Sequence, residues 1–315
     1  MSRWLAALVC LLLLSACKSD RRAVVVLTAA SLARAFAELE QQIERDHPQL
    51  DVQLEIGGSQ ALCRKLVELG GRADVLAVAD FRTIDTICRP SHARFNIHFT
   101  TNAIVLAHME HSRHTDRITA DNWPEILMRP GVRLGLVDPD LAPIGYRTLL
   151  VWKLAELELG RDKTGGADLA GRLRARVARE HVAPHESELM QLLQSRTVDY
   201  AFVYRSTAEE HNLKVTTLPD SYNLGSVDNA DGYRRATLKV EMKRGQGRSM
   251  NGSPVVYGVT IPARPLNAAG AELFVRTLLD AGGRRVLRRT GFRPMVPARC
   301  AERAQLPPSL RLLVR

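Results

Sequence analysis

An α/β fold with mostly parallel strands is predicted by three features of this sequence. Strand-like and helix-like segments alternate from Ala23 onward, the order that layers helices over a sheet. The first strand candidate, residues 24–27, is a continuous apolar run suited to burial on both faces. Two successive strand-loop-helix units then each place a serine at a helix start, Ser31 and Ser59.

Taken in order, Thr28-Ala29-Ala30-Ser31 opens a helix to about Asp46, with Leu32, Phe36, Leu39 and Ile43 at helical spacing and Pro48 just beyond. Residues 51–56 alternate as a second strand, Gly57-Gly58-Ser59-Gln60 leads into a helix ending near Gly70, and residues 74–78 form a third strand. Further strands are predicted over 103–107, 133–137, 200–204 and 255–261. Helices are expected between them over 122–128, 145–160, 167–180 and 186–195, and two more over 267–279 and 283–290 close the fold. Residues 228–253, rich in Gly, Asp, Asn and basic residues, read as a long surface excursion with few apolar anchors.

The 315 residues, 45% hydrophobic and 25% charged, suit a folded protein of two ordinary lobes rather than one core. The formal charge is +10, yet the basic clusters at 172–179, 239–248 and 284–293 lack the interleaved aromatics of nucleic-acid readers. They are read as solvated faces, and no nucleic-acid partner is expected. A net positive field also favours anionic solutes or lipid head groups. Residues 1–16 have a signal-peptide pattern, Arg3 followed by an apolar run over 5–14 that is short for a membrane span. Leu14-Ser15-Ala16-Cys17 resembles a bacterial lipobox, which implies a lipid on Cys17, a tether over 17–22 and a periplasmic or cell-surface protein anchored to a membrane. An uncleaved anchor, or an ordinary signal with a chance cysteine, is the alternative. Among Cys63, Cys88 and Cys300 there is no metal-type spacing, and one disulfide, Cys63 with Cys88 first, is compatible with export.

A helix start presents unpaired N–H groups and the positive end of the macrodipole, so it can seat an anion. Four loops fit that description: Ala30-Ser31, Gly58-Ser59, Pro143-Ile144-Gly145 and Glu186-Ser187. The competing reading of Ser31 and Ser59 is ordinary helix capping. Catalysis is not expected, because Gly57-Gly58-Ser59-Gln60 is not a Gly-x-Ser-x-Gly elbow, and neither a phosphate loop nor a dinucleotide fingerprint occurs. His108, Glu110, His111 and His114 could gather around a metal, but their spacing lacks a sharp ligand pattern and a polar, solvated connection accounts for them better. No metal or cofactor is therefore expected.

Several stretches in a shared order add to this. They include Ala-Ala-Ser-Leu at 29–32, Gly-Gly-Ser at 57–59, Ala-Asp-Val-Leu-Ala-Val-Ala-Asp at 73–80, Thr-Asn-Ala-Ile-Val-Leu-Ala at 101–107 and Asp-Pro-Asp at 138–140 before Pro143 and Gly145-Tyr146-Arg147. Glu-Ser-Glu-Leu at 186–189, Val-Asp-Tyr-Ala-Phe at 198–202 with Tyr204-Arg205-Ser206, Leu-Gly-Ser at 224–226 and Val-Tyr-Gly-Val-Thr-Ile-Pro at 256–262 follow. Over residues 24–297 the chain thus resembles the molybdate/tungstate-binding proteins of ABC transporters, particularly their tungstate-type branch.

That resemblance implies a two-lobed type II periplasmic binding fold with mostly parallel mixed sheets and a hinge of crossover strands. It implies lobe 1 over 23–100 with 259–300, lobe 2 over 101–258 and a C-terminal tail over 301–315. It further implies a monomer that captures a tetrahedral oxyanion between its lobes and delivers it to a permease and ATPase, with an oxyanion sensor or a sulfate-type binder as alternatives. Ser31, Ser59 and Tyr204 match positions whose hydroxyls reach the anion, and Ile144 and Glu186 match positions that offer backbone N–H groups. For Glu186 only the main chain is expected to take part, since its carboxylate would repel a dianion, and the side chain is expected in solvent. The tungstate-type branch also has two carboxylates that complete an octahedral shell. Here those positions are Ala142 and Val203, so the anion is expected to stay tetrahedral and to be held by neutral donors alone.

Overall fold

The computed structural model describes residues 22–68, 72–242 and 246–315. The expected signal peptide and Cys17 lie outside the described residues. The strands are β1 (Arg22–Ala29), β2 (Leu50–Gly57), β3 (Val75–Val78), β4 (Ile97–Asn102), β5 (Ile104–His108), β6 (Leu134–Val137), β7 (Val182–Ala183), β8 (Tyr200–Tyr204), β9 (Lys214–Thr216), β10 (Thr237–Met242), β11 (Gln246–Asn251), β12 (Val255–Thr260) and β13 (Arg293–Arg299). The α-helices are α1 (Ala33–Asp46), α2 (Ser59–Glu68), α3 (Trp123–Met128), α4 (Pro143–Thr164), α5 (Leu169–Arg176), α6 (Glu186–Gln194), α7 (Arg205–Glu210), α8 (Ala230–Tyr233), α9 (Ala268–Leu279) and α10 (Ala281–Arg289). No helix among the described residues is long and apolar enough to cross a membrane.

Two mixed sheets carry the architecture, one in the order β13-β4-β12-β3-β1-β2 and the other β7-β6-β8-β5-β9. The parallel pairs predicted by the alternation are present: β1 with β2 and β3, and β6 with β7 and β8. Antiparallel pairing enters through the strands that cross between the sheets, β4 with β12 and β5 with β8. In the first sheet, α1 buries Ala35, Phe36, Leu39 and Ile43 on one stripe, and Phe36 meets Phe274 of α9 edge-on at 5.3 Å. In the second, Phe202 of β8 lies between Trp123 and Trp152, with centroids 5.2 and 5.6 Å away.

Only Ala103 separates β4 from β5, and Leu224 and Gly225 pass beside Ala103 and the start of β12. The two crossings are laced together by Ile104 N–H to the Asn223 carbonyl at 2.8 Å, Val255 N–H to the Leu224 carbonyl at 2.9 Å and the Thr101 hydroxyl to the Gly225 carbonyl at 2.7 Å. Gly225 is required by this close approach, since a Cβ there would sit 2.7 Å from the Ala103 Cβ.

The structure revises several expectations. Residues 228–253 do have an anchor: Tyr233 is buried, its hydroxyl donates to the Asp220 carbonyl and it accepts from Ser226 N–H at 3.1 Å. Cys63, Cys88 and Cys300 are all free and buried. Cys63 and Cys88 are neighbours as expected, within one small apolar cluster, and both carry free thiols. Residues 301–315 fold back, with Leu310 buried, Arg315 N–H on the Ala298 carbonyl at 2.8 Å and Glu302 paired with Arg89 at 2.6 Å. His108 is buried against the Tyr200 ring at 5.5 Å and its Nδ1 lies 2.8 Å from the Thr115 hydroxyl, so the segment expected to be solvated begins inside the lobe.

Asp74, fully buried, accepts from Val25 N–H at 2.8 Å and Asn267 N–H at 2.6 Å, tying β1 to the start of α9. Asp74→Ala leaves both donors without a partner in the interior. The variant is expected to lose about 2–4 kcal/mol, read from urea unfolding, because each orphaned group costs about 1–3 kcal/mol.

Candidate functional site

The four loops singled out in the sequence converge on one cleft of about 830 Å³ between the sheets. Ser31, Gly58, Ser59, Pro143, Ile144 and Glu186 all line it, together with Ala142, Tyr204 and Tyr257. Ser187 lies outside this lining and bonds to Glu188 at 3.0 Å. Neither serine acts as the ordinary helix cap considered above. Ser31 sits within a short 3-10 turn, Ala30–Leu32, that has no side-chain cap, and the Ser59 hydroxyl accepts from Ala79 N–H at 3.1 Å on the neighbouring β3 loop.

The starts of α4 and α6, at Ala142 and His185, also lack a side-chain cap. By contrast α5, α9 and α10 are capped by Asp168, Asn267 and Asp280. The unpaired N–H groups of an uncapped start need a partner from outside the helix. Gly145 fixes where α4 begins, because a Cβ there would lie 2.4 Å from the Val137 carbonyl and 2.7 Å from that of Asp138. No side chain fits so close an approach without moving the helix start.

The hydroxyls have a common polarity. Backbone N–H groups and guanidinium can donate but not accept. Ser59 accepts from Ala79 N–H, and Tyr204 accepts from Arg147 Nη1. Ser31 is set by a longer chain. Asn102 Oδ1 accepts from Ala103 N–H at 3.0 Å and Ser206 N–H at 3.4 Å, which orients the amide so that its Nδ2 donates to the Tyr257 hydroxyl at 3.4 Å. Tyr257 then donates to Ser31 Oγ at 3.1 Å. Each hydroxyl has its protein contact as acceptor and retains its own proton for the cleft.

Arg147 is absent from the donors that the sequence predicts, and it adds a charged group to the cleft where only neutral donors are expected. It is 8% exposed, lines the cleft, and stacks near the rings of Tyr146 and Tyr204 at 5.8 and 5.7 Å. Burial works against its charge, but Tyr204, Tyr146 and Asp80 outweigh that and push its pKa up. Among the described residues no carboxylate lies within ion-pair distance of it. The nearby Arg82 is matched by Asp80 at 2.7 Å, and Asp80 is held below its ordinary pKa by that partner despite burial. The signal for Arg147 was its place one turn into a helix start that faces the cleft.

Glu186 departs from the expected solvated side chain. It is half-buried, and its carboxylate turns inward to accept from Tyr204 N–H at 3.1 Å and from the Thr207 side chain. Burial pushes its pKa up to about 7, with the charge of Glu210 adding to the rise and the two hydrogen bonds opposing it. Ala142 lines the cleft with only a methyl group, while Val203 is fully buried in β8 opposite Val105. Neither can ligate a metal.

The sequence matches the family described as bacterial extracellular solute-binding protein over residues 24–293. This chain belongs to that family. It is 37% identical over 269 residues to an uncharacterized solute-binding protein of Petrotoga mobilis, covering 85% of this chain and 82% of the relative. It is 32% identical over 286 residues to a molybdate/tungstate-binding protein of Pyrococcus abyssi, covering 84% of this chain and 82% of that protein. The solved periplasmic molybdate-binding protein of Azotobacter vinelandii shares the two-lobed fold, with a TM-score of 0.55 at 17% identity over 85% of this chain and 98% of its own.

Two predictions concern this solute-binding cleft. Tyr257→Phe removes the donor that orients Ser31, so anion affinity is expected to fall about tenfold in calorimetry with the fold intact, the worth of one charge-assisted hydrogen bond. Glu186 gives the second. Burial holds the Glu186 pKa at about 7; a dianion placed in the cleft would raise it further, and its binding would take up a proton. Affinity for sulfate, itself a dianion throughout, should be highest below pH 7 and weaken as pH rises through it, by up to about tenfold per unit. Glu186→Gln should flatten that profile, and a profile unchanged by the substitution would refute the linkage.

Proposed function

We propose that this protein captures a tetrahedral oxyanion dianion, molybdate or tungstate foremost, and on closure delivers it to the permease and ATPase of an ABC transporter. The observation that carries the reading is Arg147, a buried cation in the cleft with no carboxylate partner, surrounded by hydroxyls whose protons are directed away from the protein. A buried charge is costly unless paired. An anion in the cleft supplies that pair and replaces its own lost water with Ser31, Ser59, Tyr204 and the N–H groups near Ile144 and Glu186. The names of the Pyrococcus and Azotobacter proteins support an oxyanion of the molybdate class. Ala142 and Val203 offer no lone pairs for an expanded metal shell, which favours four-coordinate ligands and keeps sulfate as a competitor. No step of covalent chemistry is required, and the proposed role is binding, not catalysis. The leader and Cys17, if processed as the lipobox resemblance implies, would hold the protein at the outer face of a bacterial membrane.

Calorimetry of the chain from Lys18 onward, against molybdate, tungstate, sulfate, phosphate and divalent cations, tests this directly. Dianions should bind and cations should not. Ser31→Ala combined with Ser59→Ala should weaken the best oxyanion about a hundredfold or more, since hydrogen bonds to charged groups are worth about 1.5–3 kcal/mol each. Unchanged affinity in that double variant would show that the site lies elsewhere.

A further inference from the structure

Beside the cleft is a second chamber of about 540 Å³. Arg82, Tyr146, Arg147 and Met250 line both spaces, so the two adjoin along a shared wall. Arg234, Arg299 and His98 also line the chamber, with apolar surface from Val256 and Met295. Among the described residues that line it there is no aspartate or glutamate. Its walls therefore combine guanidinium groups with hydrocarbon, the pattern that suits an organic anion rather than water.

The carboxylates that touch these arginines do not tie them up. Arg299 meets Asp228 at 3.3 Å and Arg234 meets Asp231, but the two aspartate side chains are 86% and 91% exposed. Such surface pairs contribute little, so either arginine can change partners at small cost. Size points the same way. Four oxygens at about 30 Å³ each, the share of a water molecule, make an inorganic oxyanion of about 120 Å³, which fits in the cleft and leaves the chamber free for a longer ligand.

Resting on the oxyanion reading of the cleft, we infer that cleft and chamber together also accept an organic anion with two acidic ends. Its tetrahedral head, a phosphonate or phosphate, lies against Ser31 and Ser59, and a carboxylate at the other end lies in the chamber against Arg234 and Arg299. Arg147 stands between the two and serves both spaces. The apolar walls cover the carbon body, and bidentate guanidinium-carboxylate pairing fixes the far end.

The test compares ω-phosphonocarboxylates of increasing chain length with alkylphosphonates of the same length and with sulfate and molybdate, by calorimetry on the chain from Lys18 onward. One phosphonocarboxylate should bind at least about tenfold more tightly than its alkylphosphonate counterpart, the worth of one charged hydrogen-bonded pair. That advantage should vanish in Arg234→Ala with Arg299→Ala, while the affinity of the best inorganic oxyanion stays the same. Ala230→Phe, which narrows the chamber from α8, serves as a second variant with the same expected pattern should the double variant lose its fold. If inorganic oxyanions bind and the added carboxylate brings no gain at any length, or its gain survives the variants, the chamber is not a subsite and only this inference falls. If no oxyanion of either kind binds, the reading of the cleft falls with it.

Discussion

The site depends on one asymmetry of hydrogen bonding: amide N–H groups and guanidinium donate and never accept. Because Ser59 receives from Ala79 N–H and Tyr204 from Arg147, each hydroxyl has one lone pair engaged by the protein and its proton left over. A cleft organised in this way has a preference of sign before any ligand enters. Cations find few lone pairs there, whereas an oxyanion finds donors already oriented. Preorganisation of this kind spares the ligand the cost of rotating each hydroxyl as it binds.

The same network reaches the hinge. Asn102 closes β4, just before the crossing to β5, and its amide bonds the start of α7 through Ser206 at 2.8 Å as well as Tyr257 of β12. Tyr257 in turn holds Ser31. The residue at the crossing is thus two hydrogen bonds from the cleft. A change in the relative setting of the two sheets must strain or relax Asn102, and with it the direction of the Ser31 proton. Ligand binding shifts an open-closed equilibrium only by its difference in affinity for the two states. A donor whose aim depends on the hinge is one physical source of such a difference.

Much of this was legible in the sequence where a local signal coincided with a tertiary role. The apolar run of β1, the stripe of α1 and the glycine-serine turn before α2 appear within a few residues of their expected positions. The convergence of the four loops was implied by the family resemblance, and it accords with strand-loop-helix units that each place a loop at the same edge of a sheet. Strands β4, β7, β9, β10, β11 and β13 were not predicted. Pro294 and Pro297 argue against a strand, and β13 tolerates them because it is an edge, pairing on one side with β4. The Glu186 side chain was misplaced for a related reason: a charged residue at a helix start looks solvated until the strand beside it, β8, offers an unpaired N–H. Arg147 escaped notice because an arginine in a helix is usually an exposed one, and its burial comes from Tyr146 and Tyr204, which only the folded chain brings to either side of it.

Charge magnitudes bear on the sign of the proposed ligand. Asp80 and Arg82 cancel at first order, and Arg147 adds one full positive charge to the cleft wall, set against the exposed carboxylate of Asp140 at its rim. The starts of α2, α4 and α6 each contribute about half a unit through the helix macrodipole. Glu186, with its pKa near 7, subtracts about half a unit at neutral pH. The cleft thus presents a net positive charge, which suits an anion. Carboxylates at 142 and 203 would work against that charge, since two further negative charges would face an anion unless a metal centre bound them directly. Ala142 and Val203 on one side and Arg147 on the other therefore form one electrostatic arrangement, suited to a ligand whose charge is met by donors and dipoles.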